Sequence, residues 1–332
     1  RLNIISWNLY NNITIKPKEG SNATIEFKRA NTPRKIRIKA AINVTLENIK
    51  FTGTMNGEFL NIHDGVQNLT IKGCTFENMK TVAVNTAPII DIHNDGPTDL
   101  KTKNIIFENC KFVNCTAGYM LLLGGDECKG IVESISLVNC VFENFSGTFP
   151  NSAPITITSA KNVHLENNTF SNNVPIVFDK DYQGTLDTVN FNVLTESLTV
   201  GETGSIVAEL VDDNGNRIKS SNLKFVINNE PTGIIAPDSN GLYTFEVTPS
   251  DTNDIKVSAS CSNVENFDVE SILIKVSKPS SNLTLGDDIT FDYGESGSTT
   301  VSYEGATDVV AEVVNNTATI KIENGNITVS GL

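Results

Sequence analysis

Apolar and polar residues alternate in five segments of the first half of the chain, and these segments align with one another without gaps. The segments start at Asn43, Asn68, Asn104, Ser134 and Asn162, and they read NVTLENIKF, NLTIKGCTF, NIIFENCKF, SISLVNCVF and NVHLENNTF. A period of two residues predicts a β-strand in each segment. The starts lie 25, 36, 30 and 28 residues apart, which is typical of a solenoid whose loops vary in length.

Each repeat also contains a small or amide residue that is followed three positions later by phenylalanine. The first position holds Asn48, Gly73, Asn109, Asn139 and Asn167, and the second holds Phe51, Phe76, Phe112, Phe142 and Phe170. Because stacked strands lie about 4.8 Å apart, equivalent residues of successive repeats become vertical neighbours. The pattern therefore predicts an asparagine ladder at a bend and a phenylalanine ladder inside the coils.

A second alternating segment recurs between these repeats, for example at Leu60 and Ile62 and again at Ile90 and Ile92. No stretch of the sequence has the apolar spacing of an amphipathic helix, which excludes βαβ units. We therefore expect an all-β protein that starts with a right-handed parallel β-helix over residues 1–192. Its last coil is expected to close near Val189 and Phe191.

The pattern changes after Leu194, where short apolar stretches are separated by Asx and glycine turns. These features predict an immunoglobulin-like β-sandwich over residues 193–277, in which the stretch from Asp238 to Tyr243 resembles a tyrosine corner. Residues 278–332 restart a similar pattern, with expected strands at 309–314, 317–322 and 327–329. This segment is shorter than the roughly 100 residues common for a sandwich, so we expect a truncated or small second module.

The repeat unit N-V-x-L-x-N-N-x-F resembles the parallel β-helix repeat of pectate-lyase-like and surface-adhesin proteins, over about residues 10–192. The following module is similar to the invasin-type bacterial immunoglobulin-like module. The combination, with its asparagine-rich composition, resembles adhesin-like proteins of methanogenic archaea. This resemblance implies a stalk of sandwich modules that presents the β-helix outward. Polysaccharide lyases, glycosidases and phage tailspikes share the β-helix, so the fold alone leaves the activity open.

The charge is −14 and is concentrated in the second half, where residues 190–332 hold 7 basic and 21 acidic side chains. Such a surface repels phosphate and anionic lipid, so we expect no nucleic-acid partner. No apolar stretch is long enough to span a bilayer, so no membrane insertion is expected within this sequence. Several Asn-X-Ser/Thr sequons support secretion, and we predict an extracellular location at the cell surface.

Three cysteines, Cys74, Cys110 and Cys140, occupy the same position of consecutive repeats and should stack. We favour buried free thiols, because parallel Cβ vectors disfavour a bridge. Cys115 and Cys128 are candidates for a pair across a loop. No cysteine or histidine spacing typical of zinc occurs, so neither a metal nor a cofactor is predicted.

The strongest candidate site is L-N-I-H-D-G, starting at Leu60, in one coil and I-D-I-H-N-D-G, starting at Ile90, in the next. If the apolar residues point inward, the polar residues between them point outward and lie side by side. Such a cluster is suited to a divalent cation, to sugar hydroxyls or to acid/base chemistry, and equally to a polar surface ladder. Tyr119 and Tyr182 are candidate stacking platforms for sugars. The predicted ligand-binding set is Asn61, His63, Asp64, Asp91, His93, Asp95 and Tyr119, and no residue is predicted to be catalytic.

These features lead to the prediction of a non-enzymatic cell-surface adhesin that binds a surface glycan or protein of another cell or host. The alternative is a polysaccharide-processing enzyme, a lyase or a glycosidase, or a tailspike-like receptor-binding protein. In polygalacturonase-like enzymes an R-I-K motif lies downstream of clustered aspartates. Here R-I-K lies at Arg37 to Lys39, near the opposite end, and the other motifs are missing.

Overall fold

The computed structural model describes residues 7–8, 11–28, 35–82, 86–125, 130–179, 183–265, 267, 269–279, 282–287, 292, 295–304, 318–323 and 326–331. Among these residues, β-strands are the only regular secondary structure, and no helix occurs. This agrees with the prediction of an all-β chain. None of them forms a helix that is long and apolar enough to cross a membrane. Cys128, Asp181, Tyr182 and the strand expected at 309–314 lie outside the described residues.

Three open parallel sheets occupy the first half of the chain. Their strands are β1 Trp7–Asn8, β2 Asn11–Ile15, β3 Ala23–Phe27, β4 Ile36–Lys39, β5 Ile42–Glu47, β6 Ile49–Met55, β7 Leu60–His63, β8 Gln67–Lys72, β9 Thr75–Thr81, β10 Pro88–His93, β11 Lys101–Glu108, β12 Lys111–Val113, β13 Thr116–Ala117, β14 Tyr119–Gly124, β15 Ile131–Val138, β16 Val141–Glu143, β17 Ser146–Gly147, β18 Ala153–Ile157, β19 Lys161–Glu166, β20 Thr169–Phe170 and β21 Ile176–Phe178. Sheet A joins β1, β4, β7, β10, β14, β18 and β21, while sheet B joins β2, β5, β8, β11, β15 and β19. Sheet C joins β3, β6, β9, β12, β13, β16, β17 and β20. Each repeat supplies strands to all three sheets. We call each such repeat a coil and the assembly of coils the stack.

The phenylalanines of the repeats form one interior column. Phe112 pairs in register with Phe76 on one side and Phe142 on the other. Their ring centroids lie 4.7 and 4.8 Å from that of Phe112, and the planes differ by 7° and 3°. Phe51 and Phe170 extend the column at 4.8 and 4.7 Å. The predicted aromatic ladder, and with it the vertical stacking of the repeats, is confirmed.

Asparagine forms a hydrogen-bonded ladder, but not at the predicted positions. Asn48, Asn109, Asn139 and Asn167 have φ between 52° and 55° and serve as left-handed turn residues. Side-chain hydrogen bonds link Asn12, Asn43, Asn68 and Asn104, with donor–acceptor distances of 2.8, 2.8 and 2.9 Å, and link Asn144 to Asn114 at 3.0 Å. Asparagine tolerates the left-handed region better than other non-glycine residues. The repeat therefore uses it at three positions, and the side-chain hydrogen bonds join the first residues of the repeats and the residues two positions after the phenylalanine.

The cysteines of the stack are buried thiols. Cys74, Cys110, Cys115 and Cys140 are all free, so the expectation of free thiols is confirmed for the three equivalent positions. The alternative of a bridge from Cys115 is wrong. The Cys110 thiol lies 3.2 Å from the carbonyl oxygen of Ile71 in the preceding coil, which partly satisfies it.

Antiparallel strands dominate from residue 190 onward. The strands of this region are β22 Asn190–Val193, β23 Ser197–Thr199, β24 Gly204–Val211, β25 Arg217–Lys219, β26 Leu223–Ile227, β27 Glu230–Ile234, β28 Leu242–Val247, β29 Ile255–Cys261 and β30 Ile272–Ser277. Among them β23 pairs in parallel with β30. Tyr243 is fully buried, and its hydroxyl accepts the N–H of Ser220 at 2.7 Å and donates to the carbonyl of Ser220 at 3.0 Å. Ser220 lies 23 residues before Tyr243, whereas the hydroxyl of a tyrosine corner bonds to the backbone a few residues upstream, so the predicted tyrosine corner is wrong. We call these strands the sandwich.

The stack continues directly into the sandwich. β21 pairs in parallel with β25, with Ile176 opposite Ile218, and Leu186 bridges in parallel to Val264. Phe191 in β22 pairs antiparallel with Leu210 in β24. The last coil returns to sheet B at Leu186, which forms a parallel bridge to Val163, a few residues before the expected closure near Val189. The placement of Phe191 in that coil is wrong, because its strand pairs antiparallel with β24. Alternation alone does not reveal whether a strand's partner is parallel or antiparallel.

A four-stranded antiparallel sheet follows, formed by β31 Asn282–Leu285, β32 Ser296–Glu304, β33 Ala318–Glu323 and β34 Asn326–Gly331 in the order β31, β32, β34, β33. The chain divides into two compact units. The first comprises residues 1–196, 205–246 and 255–274, and the second comprises residues 197–204, 247–254 and 275–332. The stack and most of the sandwich therefore belong to one compact unit.

Candidate functional site

Two consecutive coils place their histidines side by side on sheet A. β7 and β10 pair in parallel, with His63 opposite His93 and Asn61 opposite Asp91. The imidazole centroids lie 5.3 Å apart and the ring planes differ by 25°. The intervening residues are buried in the core, namely Leu60, Ile62, Ile90 and Ile92. The predicted adjacency of the histidines is confirmed.

The expected solvent exposure of this face is wrong. Asn61, His63 and His93 expose only 2%, 4% and 9% of their surface. The reason lies in the residues next to them on the same face of sheet A, because Phe59 and Ile89 are also buried. The ring of Phe27 packs edge-on against that of Phe59 at 5.0 Å. The alternation of apolar and polar residues predicts which face of the sheet a side chain points to. The burial of that side chain also depends on the residues that cover the face.

Asp64 organises the end of this face. It follows His63 in a left-handed turn with φ of 53°. Its carboxylate contacts Nδ1 of His63 and Nζ of Lys39, both at 2.9 Å, and accepts the N–H groups of Asp95 and Gly96 at 2.8 and 3.0 Å. Burial opposes ionisation of Asp64, but these four contacts outweigh it and lower its pKa to about 2. Asp64 therefore remains an anion that ties the turn after His93 to the preceding coil.

The two histidines have opposite electrostatic environments. Burial lowers the pKa of His63 to about 4, and the positive charges nearby add to this effect while Asp64 opposes it. His93 lies between Asp91, 2.9 Å from Nδ1, and Asp95, 3.1 Å from Nε2. Burial opposes the charge on His93, but the two carboxylates outweigh burial and raise its pKa. At neutral pH, His63 is therefore neutral, with its proton on Nδ1 facing Asp64.

Several buried polar atoms on this face make no hydrogen bond. They are Nε of Arg37, Oδ1 of Asn61, Nε2 of His63, Oδ1 of Asp91 and Nδ1 of His93, which lies 2.9 Å from Oδ2 of Asp91 but outside hydrogen-bonding geometry. Arg37, Asn61 and Asp91 occupy the same register position in three consecutive coils. Folded proteins rarely leave buried polar groups without a partner, and exceptions often mark a binding site. The predicted residues thus form an unsatisfied polar cluster instead of a solvated ladder.

Tyr119 lies apart from the histidines. It begins β14, and its ring packs edge-on against Phe149 at 5.3 Å, so it is 8% exposed instead of presenting a free stacking face. Both rings line a cleft of about 560 Å³ in the first compact unit. The remaining walls are rich in amides and hydroxyls, among them Asn151, Thr156, Asn172, Asn173, Ser239 and Asn240. Oγ1 of Thr156 and Oδ1 of Asn172 make no hydrogen bond.

Sequence reasoning missed most residues of this cleft. Thr156 occupies the register position that Asp91 holds two coils earlier, through Leu122, so alignment of the sheet A segments would have identified it. Asn172 and Asn173 lie in an irregular segment after β20, and Asn240 comes from the sandwich. Nothing in the sequence pattern signals that these segments converge.

Acidification is expected to destabilise the protein through His63. Its pKa is about 4 when folded and 6.5 as the reference value, so above pH 6.5 it contributes nothing to the pH dependence. Between these values only the unfolded chain binds the proton, and the free energy of unfolding falls by about 2–3 kcal/mol. Urea denaturation at pH 7 and pH 4.5, with EDTA present, should show this loss, and His63→Gln should lack it.

His164 provides the matched control for this prediction. Burial lowers its pKa, but Asp187 at 2.7 Å from Nδ1 and Glu166 outweigh burial and raise it. A raised pKa means that the stabilisation is present below the unfolded pKa and disappears as pH rises through the folded pKa. His164→Gln should therefore change the pH dependence in the opposite direction. Equal slopes in the parent and in His63→Gln would contradict a neutral, buried His63.

No family model and no curated protein matches this chain. Among solved structures it is similar in part to FdeC, an Escherichia coli adhesin, with 16% identity, a TM-score of 0.24 and coverage of 44% of this chain and 58% of FdeC. The Yersinia pseudotuberculosis adhesin InvE matches at 15% identity and a TM-score of 0.23, over 43% of this chain and 51% of InvE. Domains 5–6 of the S-layer protein SbsC match at 13% identity and a TM-score of 0.18, over 44% and 84%. The chain spans 58% and 51% of the two adhesins.

Proposed function

We propose that this chain is the ligand-presenting part of a non-enzymatic adhesin at the cell surface, and that its partner is a glycan on another cell or host. In this proposal the three open sheets of the stack wind as a right-handed parallel β-helix of the pectate-lyase-like kind. Immunoglobulin-like modules over residues 193–277 and 278–332 act as the stalk. The arrangement is that of the adhesin-like proteins of methanogenic archaea.

The cleft beside Tyr119 is the observation that supports this proposal. Its volume of about 560 Å³ lies in the range of small-ligand sites, about 300–1,000 Å³. Its walls combine the aromatic pair Tyr119 and Phe149 with amide and hydroxyl side chains. A sugar presents many hydroxyls that donate and accept, and an apolar face that packs on an aromatic ring, for which Phe149 is partly exposed. This chemistry complements a glycan better than an apolar or strongly charged ligand.

Two polar atoms of the cleft that make no hydrogen bond favour a glycan as the ligand. Oγ1 of Thr156 and Oδ1 of Asn172 line the cleft and make no hydrogen bond. A buried polar group without a partner costs about 1–3 kcal/mol, and a sugar hydroxyl in the cleft would recover this free energy. A protein ligand would have to supply the same groups from side chains that fit the cleft.

A glycan microarray with the full chain tests this function, followed by titration of the best oligosaccharide. We expect Thr156→Val, which keeps the shape and removes the hydroxyl, to weaken binding about 5- to 10-fold. Thr70→Val is the matched control, because Thr70 lies on sheet B, away from the cleft residues. Equal effects of the two variants, or no glycan bound above background, would reject the cleft as a glycan site.

An assay for reducing sugars and unsaturated products on the same oligosaccharides separates the adhesin from the enzyme alternative. We expect binding without turnover. Turnover that disappears in His93→Ala would show that the chain processes its polysaccharide and would overturn the non-enzymatic proposal.

A further inference from the structure

Three side chains on sheet A have the arrangement of a metal site. One ring nitrogen each of His63 and His93 and a carboxylate oxygen of Asp95 lie within 4.8 Å of one another. The histidines occupy the last positions of β7 and β10, and Asp95 follows two residues after His93. Oδ2 of Asp95 already lies 3.1 Å from Nε2 of His93. Two ligands of a tetrahedral ion with bonds of about 2 Å are separated by about 3.3 Å.

A carboxylate outside the cluster lies next to Nδ1 of each ring, hydrogen-bonded in the case of His63 and at ion-pair distance in the case of His93. Asp64 lies 2.9 Å from Nδ1 of His63, and Asp91 lies 2.9 Å from Nδ1 of His93. Metal-binding histidines commonly donate their second N–H to a carboxylate, which fixes the tautomer and the ring orientation. Because Nδ1 of each ring faces a carboxylate, Nε2 is the nitrogen available to a ligand.

Nε2 of His63 has no hydrogen-bond partner among the described residues. This nitrogen is buried and makes no hydrogen bond, although the residue is 4% exposed. A satisfied core histidine would use both nitrogens, so the unpaired Nε2 is an independent indication of a ligand. An ion from solvent can reach the cluster at Asp95, because the side chain of this residue is 64% exposed. Its backbone is held by the N–H that it donates to Asp64, so the carboxylate stays close to the rings.

We propose that His63, His93 and Asp95 bind one divalent transition-metal ion, with Zn²⁺ the best match. Imidazole nitrogen suits Zn²⁺, Cu²⁺ and Ni²⁺, whereas Ca²⁺ and Mg²⁺ prefer sites made entirely of oxygen. Two histidines and one carboxylate leave a fourth position open, where an outside donor can bind. The ion would also link two consecutive coils. The proposed metal site does not depend on the glycan cleft.

Calorimetric titration with ZnCl₂ tests the site on the full chain after EDTA treatment and exchange into metal-free buffer. We expect one saturable site per chain and a melting temperature that rises with ZnCl₂. His63→Gln, His93→Gln and Asp95→Asn should each weaken Zn²⁺ binding by at least about 10-fold, and Asp64→Asn should weaken it by about 10-fold through loss of ring orientation. CaCl₂ and MgCl₂ should not compete.

His164→Gln is the matched control, because His164 also contacts two carboxylates, those of Asp187 and Glu166, on a more exposed face. This variant should bind ZnCl₂ like the parent. Asp95 is exposed, so Asp95→Asn keeps the test decisive if a histidine variant fails to fold. The proposal is overturned if no saturable site appears, if Asp95→Asn and His63→Gln bind as the parent does, or if CaCl₂ displaces Zn²⁺.

Discussion

Replacing Phe112 by alanine is expected to lower the free energy of unfolding by about 4 kcal/mol, within the range of about 3–5 kcal/mol for buried aromatic truncations. The Phe112 ring is fully buried and packs between Phe76 and Phe142 with centroids less than 5 Å away on each side. Its removal leaves a cavity at the centre of the column, bordered by the ring faces of Phe76 and Phe142. The coils cannot collapse onto this cavity, because the ladders of sheets B and C fix their separation. Urea denaturation monitored by circular dichroism measures the loss.

Phe170→Ala is the matched control for this substitution. Phe170 ends the column and stacks on Phe142 alone at 4.7 Å, and it is only partly buried. Its truncation removes one stacking contact and leaves a site that water can fill, so we expect a loss of about 1–2 kcal/mol. Equal losses from the two variants would contradict a continuous column in which interior positions contribute most.

The interior of the stack was predictable because it follows from periodicity alone. Alternation places Leu60 and Ile90 in the core, and the constant offset to phenylalanine places Phe76 and Phe112 in one column. Both inferences use only the strand period and the separation between strands. The position of the hydrogen-bonded asparagine ladder was harder to predict, because the repeats offer three positions at which asparagine adopts positive φ.

The candidate site was predictable only in part. The register of His63 and His93 follows from the repeat, but their burial depends on Phe59, Ile89 and segments that cover the outer face of sheet A. The separation of Tyr119 from the histidines is likewise set by tertiary contacts. The cleft arises where irregular segments and the sandwich converge, and local pattern contains no information about that convergence.

Asn263 is central to the connection between the stack and the sandwich. It is buried, and its side chain donates to the carbonyl of Gly184 at 2.8 Å. Its Oδ1 accepts hydrogen bonds from Oγ of Ser220 at 2.5 Å and Nδ2 of Asn222 at 3.0 Å. Its carbonyl accepts the N–H of Leu186 at 2.9 Å. One residue of the sandwich therefore satisfies polar groups of the last coil, whose strand edge would otherwise be open to pairing with another chain.

Asn263→Ala is expected to lower the free energy of unfolding by about 2–3 kcal/mol, mainly because it leaves the buried Gly184 carbonyl without its side-chain donor, at about 1–3 kcal/mol. The Ser220 hydroxyl loses its amide acceptor but keeps the N–H of Asn222 at 3.1 Å and the thiol of Cys261 at 3.5 Å, so its loss adds less. Asn222→Ala removes a single, partly exposed donor and should cost about 1 kcal/mol or less. Denaturation monitored by circular dichroism, together with limited proteolysis near residue 184, measures both effects. If the two variants were equally stable, the side chain of Asn263 would not be securing the last coil, and the main-chain pairing of β21 with β25 and of Leu186 with Val264 would have to stabilise the end of the stack.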